Sequence, residues 1–530
     1  MHVSKEQSES PDEECGVRRA LLCMGLVVMA SMSGLDETIV STALSSISEE
    51  FHEAGEVTWI ATAYLITMTS FQPLYGKLAD IFGRRIVMIV AMVLFIGGSM
   101  GCGMAGSSGV LSMFRGVAGM GAGGMVSLGF IILSDLAPLS QRSLYLSMLN
   151  VTFGISNMIG PLAGGLIVDK VGWRWVFIIN VPIGLVGLGT LYFTLPSHRN
   201  DQCMSEQLRR VDVAGALLLV LSIILIVLGV NWGGKDYAWD SWQVVVCLCL
   251  GVVILVAFFV VEERAIEPIL PWRIFNRNLL LCNVVTLVNG LCMFSFMYYW
   301  PLFHMTFHQH SATRAGLEVL PILLSDGLLS ALSGVITHRS GTYRWMMRLG
   351  MVLILAGASL LAFLPHPIPR ALELILPLMV GIGIGLNTQN SLIATQASAP
   401  SEIAIVTSFN AFANSMGGVL GLALLGAVFD NTLSDKLRSA LPDPHQASQI
   451  AISLKRFHAL DPESHLRAAS AYAEAYQTLF ITLVPFAIVG CIATFAMDHV
   501  PLQCTTLHST SSVTLANASP AHQKSTLMHL

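Results

Sequence analysis

The sequence predicts an all-α membrane protein with fourteen transmembrane helices. Of the 530 residues, 54% are hydrophobic and only 12% are charged, whereas soluble domains carry about 25% charged residues. The mean hydropathy is +0.68. A chain of this composition cannot cover a water-exposed surface with polar side chains, so we expect its apolar segments to face lipid.

Apolar segments of spanning length recur from one end of the chain to the other. A helix needs about 20 mostly apolar residues to cross a bilayer. Because the number of spans is even and Lys and Arg concentrate in alternate short loops, we expect both termini on the cytosolic side. The predicted spans are 20–46, 57–76, 86–106, 110–134, 143–168, 174–195, 212–231, 242–261, 279–303, 315–337, 346–364, 371–396, 403–430 and 474–498.

Charge, cysteine usage and motifs exclude several classes of protein. The net charge of −5 offers no basic surface for nucleic acid. The ten cysteines form no C-x-x-C pair, and the chain has no phosphate-binding loop or hydrolase motif. We therefore expect no enzyme, no cofactor and no metal. His304, His308 and His310 fall in a predicted outer loop, where they could bind a metal or sense pH, but solvated side chains are the simplest expectation.

The clearest motif is the inner turn Gly76–Arg85, with the sequence GKLADIFGRR. Gly76 and Gly83 allow close helix approach and chain reversal. Asp80 can meet a helix N-terminus or an arginine, and Arg84 and Arg85 suit an anionic inner leaflet. We interpret these five residues as a conformational lock.

This turn resembles the loop signature of the major facilitator superfamily. Three further segments resemble its fourteen-span drug:proton antiporter family, and most closely its fungal members. They are 35–44 (LDETIVSTAL), 160–165 (GPLAGG) and 173–184 (WRWVFIINVPIG).

The resemblance implies the major facilitator fold, in which two six-helix bundles alternate access to a central cavity. Fourteen-span members add two helices between the bundles. The expected divisions are a cytosolic tail 1–18, a first bundle 19–195, two extra helices with linkers 196–278, a second bundle 279–498 with an extracellular loop 431–473, and a cytosolic disordered tail 499–530.

The fifth predicted span carries the segment that resembles the antiporter motif. Its glycines remove side chains along one helix, and its proline removes a backbone hydrogen bond, so the helix can bend and pack closely. The resemblance implies a leak-proof interface here, and an ordinary small-residue packing face is the alternative. The residues are Gly154, Gly160, Pro161, Gly164 and Gly165.

Three charged residues inside spans are candidates for proton coupling, because charge in a bilayer is costly. The resemblance implies this role for Asp36 and Arg115, which could instead form a static ion pair. Glu37 neighbours Asp36, and adjacent helical positions point about 100° apart, so we expect only one of them to face the cavity. Asp326 is open to three interpretations: a second proton site, a contact for a cationic substrate, or a polar cavity residue.

Polar and aromatic residues of the second half are candidates for the substrate cavity. A wide apolar cavity with a few polar groups suits bulky, weakly polar ligands. Asparagine occupies position 414, where the family frequently has arginine. The candidates are Asn283, Asn289, Tyr298, Gln389 and Asn414.

These features predict a proton-coupled efflux transporter in the plasma membrane. We expect a monomer in the lipid bilayer whose partners are protons and a bulky hydrophobic small molecule, such as a fungal secondary metabolite, toxin or drug, with no nucleic acid. Three alternatives stay open: a proton-coupled importer of a nutrient or siderophore, a non-transporting membrane sensor, and a facilitator without proton coupling.

Overall fold

A computed structural model describes most of the chain. The described residues are 11–51, 57–137, 142–196, 204–234, 237–265, 267–310, 312–364, 368–441, 450, 457–458, 460–498 and 500. Apart from residue 500, the predicted cytosolic tail 499–530 lies outside the described residues.

The described residues form α-helices joined by short turns, and one 3₁₀ turn at Trp272–Ile274. Side-chain caps explain several of the helix starts: Asn276 accepts a hydrogen bond from Leu279 N, and Asp461 from Ser464 N. The helices are α1 (Pro11–Phe51), α2 (Val57–Phe82), α3 (Arg84–Gly103), α4 (Ser108–Leu136), α5 (Arg142–Lys170), α6 (Arg174–Ile178), α7 (Asn180–Thr194), α8 (Met204–Arg210), α9 (Val213–Trp232), α10 (Trp242–Glu262), α11 (Arg277–Phe307), α12 (Ala312–Leu317), α13 (Leu320–Ser340), α14 (Arg344–Phe363), α15 (Arg370–Ser398), α16 (Ile403–Ala440) and α17 (Pro462–Ala496).

The two halves of the chain pack their helices in the same pattern. In the first half, α1 packs against α5 and α7, and α4 packs against α2 and α3. In the second half, α11 packs against α16 and α17, and α15 packs against α13 and α14. Each half is therefore a helical bundle with its own apolar core.

Two helix pairs make the most extensive contacts between the bundles in the described part of the chain: α5 with α13, and α2 with α16. The two pairs are equivalent, because α2 of the first half corresponds to α13 of the second half, and α5 corresponds to α16. The additional helices α9 and α10 pack on each other, and α9 also contacts α2 and α16. The extra pair therefore lies beside one of the two seams between the bundles.

The prediction of an all-α, multi-pass membrane protein is confirmed. Among the described residues, thirteen helical segments are long and apolar enough to cross a membrane, and α2 forms the remaining predicted span. This helix is less apolar because it packs on several sides within the protein, where Thr69, Ser70 and Gln72 are buried.

Some helix ends differ from the sequence-based boundaries. The sixth predicted span, 174–195, forms as two pieces, α6 and α7. The predicted loop 431–473 is helical at both ends, since α16 continues to Ala440 and α17 begins at Pro462. Residues 442–449, 451–456 and 459 of this loop lie outside the described residues. The helix α1 begins at Pro11, inside the predicted tail 1–18.

Candidate functional site

A buried ion pair lies in the middle of the first bundle. Arg115 Nη1 on α4 donates to Asp36 Oδ2 on α1 at 2.6 Å, and the two side chains are only 2% and 0% exposed. Asn180 Nδ2 on α7 donates to the other carboxylate oxygen, Asp36 Oδ1, at 2.8 Å. Three helices therefore meet at one carboxylate, and both of its oxygens accept hydrogen bonds.

The guanidinium of Arg115 has further partners besides Asp36. Its Nε donates to the Ile60 carbonyl at 3.2 Å. The ring of Tyr64 lies 4.0 Å from the guanidinium carbon, measured to the ring centroid, and the ring of Phe177 lies at 5.8 Å. A buried arginine stays charged, so a carbonyl and aromatic faces provide it with partners that do not titrate.

Sequence reasoning selected Asp36 and Arg115 but missed Asn180 and Tyr64 as members of this site. Asn180 lies within the quoted segment 173–184, so the signal was present but was not assigned a role. Tyr64 had no such signal, because an aromatic residue in an apolar span is usually a packing residue.

A cavity between the bundles is lined by Glu37, the neighbour of Asp36. Its other walls are apolar or small side chains of α2, α11 and α16, and Asp36 is not among the lining residues. Adjacent residues of α1 thus face different environments: Asp36 the interior of the first bundle, and Glu37 the space between the bundles. The other lining residues are Leu65, Met68, Phe294, Ser415, Gly418, Val419 and Leu422.

Asp326 lies on α13 in the second bundle and is buried. Thr388 Oγ1 on α15 donates to Asp326 Oδ1 at 3.3 Å, and Asn289 Nδ2 on α11 donates to the Thr388 hydroxyl at 3.0 Å. Two of the predicted candidates, Asp326 and Asn289, are therefore linked through one threonine.

The other predicted cavity residues lie in different places. Gln389 bridges the bundles: its Oε1 accepts from Asn150 Nδ2 at 2.7 Å, and its Nε2 donates to the Ser143 carbonyl at 3.0 Å. Asn283 donates to its own helix, at the Leu279 carbonyl.

Asn414 and Tyr298 occupy packing and surface positions. A Cβ atom built on Gly290 would lie 2.1 Å from the Asn414 carbonyl oxygen, so α11 and α16 approach closely there. Tyr298 is 61% exposed and packs edge-on against Tyr299.

The Gly76–Arg85 turn joins three helices of the first bundle. Arg84 pairs with Asp80 at 2.8 Å (Nη1 to Oδ1) and with Asp135 at the end of α4 at 2.9 Å (Nε to Oδ2). Burial raises the pKa of the Asp80 carboxyl, and the Arg84 guanidinium opposes that effect. Gly83 adopts φ 86°, a left-handed conformation that favours glycine. Arg85 lies over the Tyr192 ring at 4.5 Å.

Gly76 lies where the two bundles approach most closely at this end. A Cβ atom at this position would lie 2.2 Å from Ser408 Oγ and 2.6 Å from the Ala404 carbonyl oxygen, both on α16. A side chain at position 76 would therefore push the bundles apart.

The glycines of α5 have different neighbours. Cβ atoms at Gly160 and Gly164 would lie 2.0 Å from Thr38 Oγ1 and 2.4 Å from Thr42 Oγ1, both on α1. Gly154 faces α13 at ordinary contact distance, and Gly165 has open space around it. The helix runs unbroken through Pro161. The close interface is thus between α5 and α1.

At the end of the second bundle opposite to Gly76, the expectation of a solvated loop was wrong for His304, whereas His308 and His310 follow the helix and His308 is exposed. His304 lies within α11 and is fully buried. The His304 ring centroid lies 5.2 Å from that of His308 and 5.9 Å from that of His310. The apolar segment continues to Phe307 as helix, which carries His304 into the core.

Comparison with known proteins agrees with this architecture. The sequence model described as Major Facilitator Superfamily matches residues 26–422. The chain belongs to the major facilitator superfamily. The resemblance drawn from the motifs is therefore confirmed.

Several relatives within the superfamily align along most of their length. The multidrug transporter protein MdtP of Bacillus subtilis is 33% identical over 514 residues, which cover 96% of this chain and 90% of that protein. The efflux pump aflT of Aspergillus parasiticus is 30% identical and covers 82% of this chain and 85% of that protein. The multidrug resistance protein fnx1 of Schizosaccharomyces pombe is 33% identical, with coverages of 91% and 92%.

Solved major facilitator structures share the fold. The human organic anion transporter MFSD10 superposes with a TM-score of 0.60 at 13% identity, covering 92% of this chain and all of that one. The proton:xylose symporter XylE superposes with a TM-score of 0.55 at 13% identity, with coverages of 90% and 94%. The chain is a multi-pass membrane transporter of small molecules and not an enzyme.

Proposed function

We propose that this transporter is a proton-coupled antiporter that exports a bulky hydrophobic small molecule across the plasma membrane. The observation that carries the proposal is the buried pair of Asp36 and Arg115, one residue away from a cavity between the bundles. Burying a carboxylate in a membrane span is costly, so such a residue is a candidate for a role in transport.

The proton step acts on the Asp36 carboxylate. Protonation would neutralise the carboxylate and weaken the contact of α1 with α4 and α7. Arg115 would stay charged and stay in place, because the Ile60 carbonyl and the Tyr64 ring still hold it. The proton would therefore loosen one side of the site without releasing the arginine.

The substrate step acts on the cavity beside Glu37. In this conformation the cavity is only water-sized, so a bulky molecule would enter it only after the bundles move apart. Its apolar lining suits a lipophilic molecule, and the Glu37 carboxylate suits a ligand that also carries positive charge. Because Asp36 and Glu37 are adjacent on α1, a movement of this helix changes the proton site and the cavity together. That adjacency provides the physical basis for exchange.

Close packing at two helix interfaces supports proton-coupled transport without a proton leak. The α5 glycines leave little space between α5 and α1, and Gly76 brings α2 against α16. One elementary charge crossing the membrane supplies about 2.3 kcal/mol per 100 mV. A single proton is therefore a substantial drive for export.

The relatives support export rather than import, because those described above are named multidrug transporter, efflux pump and multidrug resistance protein. A fungal secondary metabolite, a toxin or a drug fits the cavity chemistry. We further propose a monomer in the plasma membrane with both termini in the cytosol.

The test is transport in inside-out vesicles with an imposed pH gradient, using a panel of dyes, azoles and fungal toxins. We expect uptake into the vesicles that a protonophore abolishes. Asp36→Asn should remove gradient-driven uptake, whereas Asp240→Asn, at an exposed turn between α9 and α10, should not. Uptake by the parent that needs no pH gradient and is unaffected by the protonophore would rule out proton coupling, and movement in the opposite direction would indicate import.

A further inference from the structure

Three imidazoles and two carboxylates lie together at the end of the second bundle that is opposite to Gly76. His304 belongs to the last turn of α11, His308 is its C-cap residue, and His310 follows. Glu318 comes between α12 and α13, and Glu373 lies in the first turn of α15. The ring centroids of the three histidines are 5.2 to 5.9 Å apart.

Part of this cluster is buried without hydrogen-bond partners. His304 is 0% exposed, and its Nε2 atom has no hydrogen-bond partner among the described residues. The Nδ1 atom of His310 is likewise buried without a hydrogen bond. Buried polar atoms normally find a partner, because leaving one unsatisfied costs about 1–3 kcal/mol. An unsatisfied ring nitrogen among other nitrogen and carboxylate donors points to a ligand.

The donor atoms converge in two overlapping sets that share His304. One donor atom each of His304, His308 and Glu373 lie within 4.8 Å of one another, and the same is true of His304, His310 and Glu318. The ring atom His308 Nε2 lies 3.0 Å from Glu373 Oε1, and His310 Nδ1 lies 3.9 Å from Glu318 Oε1.

We propose that this cluster binds a divalent transition-metal ion of the zinc class, centred on His304. The main ligand set consists of His304, His308 and Glu373. The pair next to it, His310 and Glu318, could bind the ion together with His304 instead. Neutral imidazoles with a carboxylate are typical zinc ligands. Donors around tetrahedral zinc are about 3.3 Å apart, given bond lengths of about 2.0–2.1 Å. Small side-chain rotations would close the set, and the His308 side chain is 35% exposed.

Arg370 is the natural competitor of such an ion. Its guanidinium pairs with Glu318, lies 2.9 Å from Glu373 Oε2 through Nη1, and lies 3.5 Å from His304 Nδ1. It thereby supplies one positive charge against the two carboxylates. Its side chain is 47% exposed, so it can turn towards solvent when an ion supplies the positive charge instead. A bound ion would link α11 to α15.

The experiment measures zinc binding by the full-length protein in detergent after treatment with a chelator. Zinc chloride is titrated against a chromophoric competitor, and bound metal is counted by elemental analysis. We expect one saturable ion whose affinity falls at least about 100-fold in His304→Gln, because even second-shell changes cost about 10–100-fold. His338→Gln, near the opposite end of α13, is the control and should bind zinc as the parent does.

Two further measurements separate a metal site from a structural cluster. Arg370→Gln should bind zinc more tightly, because the competing charge is gone, whereas a purely structural role for Arg370 would leave affinity unchanged or lower. Cobalt chloride should produce the visible absorption of a tetrahedral ion in the parent and in His338→Gln, and not in His304→Gln.

The proposal also stays testable if His304→Gln fails to fold, as size-exclusion chromatography would reveal. The double variant His308→Gln/His310→Gln changes two less buried rings and should then lose zinc binding. Absence of saturable zinc binding to the parent would overturn the proposal. So would zinc affinity that stays the same in both His304→Gln and the double variant.

Discussion

Asn180 fixes the orientation of the Asp36 carboxylate at the residue scale. It satisfies the oxygen that Arg115 does not reach, so Asn180→Ala leaves a charged oxygen buried without that donor. We expect a loss of about 1–3 kcal/mol of stability and weaker gradient-driven export. The measurements are melting temperature in detergent and transport across a series of external pH values.

Thr190→Val is the matched control for Asn180→Ala on the same helix. The Thr190 hydroxyl donates only to the Val186 carbonyl of its own helix. Its loss should leave export and its pH profile unchanged. Equal pH profiles for Asn180→Ala and the parent would mean that Asn180 does not act on Asp36.

The sequence located the buried charges of the first bundle but did not predict how they are arranged. A charged residue within an apolar span is easily recognised in a sequence, so Asp36 and Arg115 could be selected as candidates. Which of Asp36 and Glu37 faces the bundle interior and which faces the cavity depends on the rotation of α1 about its axis. Tertiary packing determines that rotation. His304 was misassigned because an apolar segment that ends in histidines does not show where its helix ends.

Close packing of α5 against α1 is an element-scale property that single glycines can test. A Cβ atom at Gly164 would lie 2.4 Å from Thr42 Oγ1 and 2.8 Å from the Ile39 carbonyl oxygen. We therefore expect Gly164→Ala to separate the helices, cost about 1–3 kcal/mol and raise the proton leak of substrate-free proteoliposomes.

Gly165→Ala is the control for this effect, one residue along α5. No atom outside its local backbone lies within 4 Å of the added Cβ, and alanine favours a helix by about 1 kcal/mol over glycine. We expect unchanged or higher stability and no added leak. If both variants leak equally, the close interface is not what prevents the leak.

A linker between α10 and α11 is tied to the first bundle by Glu267. Its carboxylate meets Arg210 Nε at 2.5 Å and Lys77 Nζ at 3.0 Å. The hydrogen bond from Arg210, with help from Lys77, lowers the pKa of Glu267 below its usual value of 4.5. The contact therefore stabilises the folded protein above pH 4.5 and is lost as the pH falls through the lowered pKa.

Glu267→Gln should lower the free energy of unfolding at pH 7 by less than about 1 kcal/mol, because the groups are partly exposed. The melting temperature should therefore fall only slightly. The difference from the parent should shrink as the pH falls below 4.5. Glu263→Gln, at an exposed position after α10, should differ little from the parent at either pH. A constant difference across pH would show that the charge of Glu267 does not stabilise the linker.

At the scale of the whole molecule, two bundles with the same helix pairings meet along two equivalent seams. The family motifs predicted the paired bundles, because such motifs recur at fixed places in a shared fold. They did not predict the polar contacts between bundles, since each contact depends on two residues far apart in sequence. Gln389, predicted to line the cavity, instead joins α15 to α5 through Asn150 and the Ser143 carbonyl.

That bridge makes Gln389 a test of how the bundles separate. Gln389→Ala removes two hydrogen bonds between the bundles at the Gly76 end, worth about 1–2 kcal/mol together. The ratio of open to closed molecules at this end should rise about 5–30-fold.

The distance between the two bundles at this end can be measured with spin labels on Ile86→Cys and Ser340→Cys, which are exposed positions of the two bundles. Asn387→Ala, whose lost hydrogen bond lies within α15, should keep the parent distribution. Unchanged distances in Gln389→Ala would mean that the closed state depends on the close packing at Gly76 and not on this polar bridge.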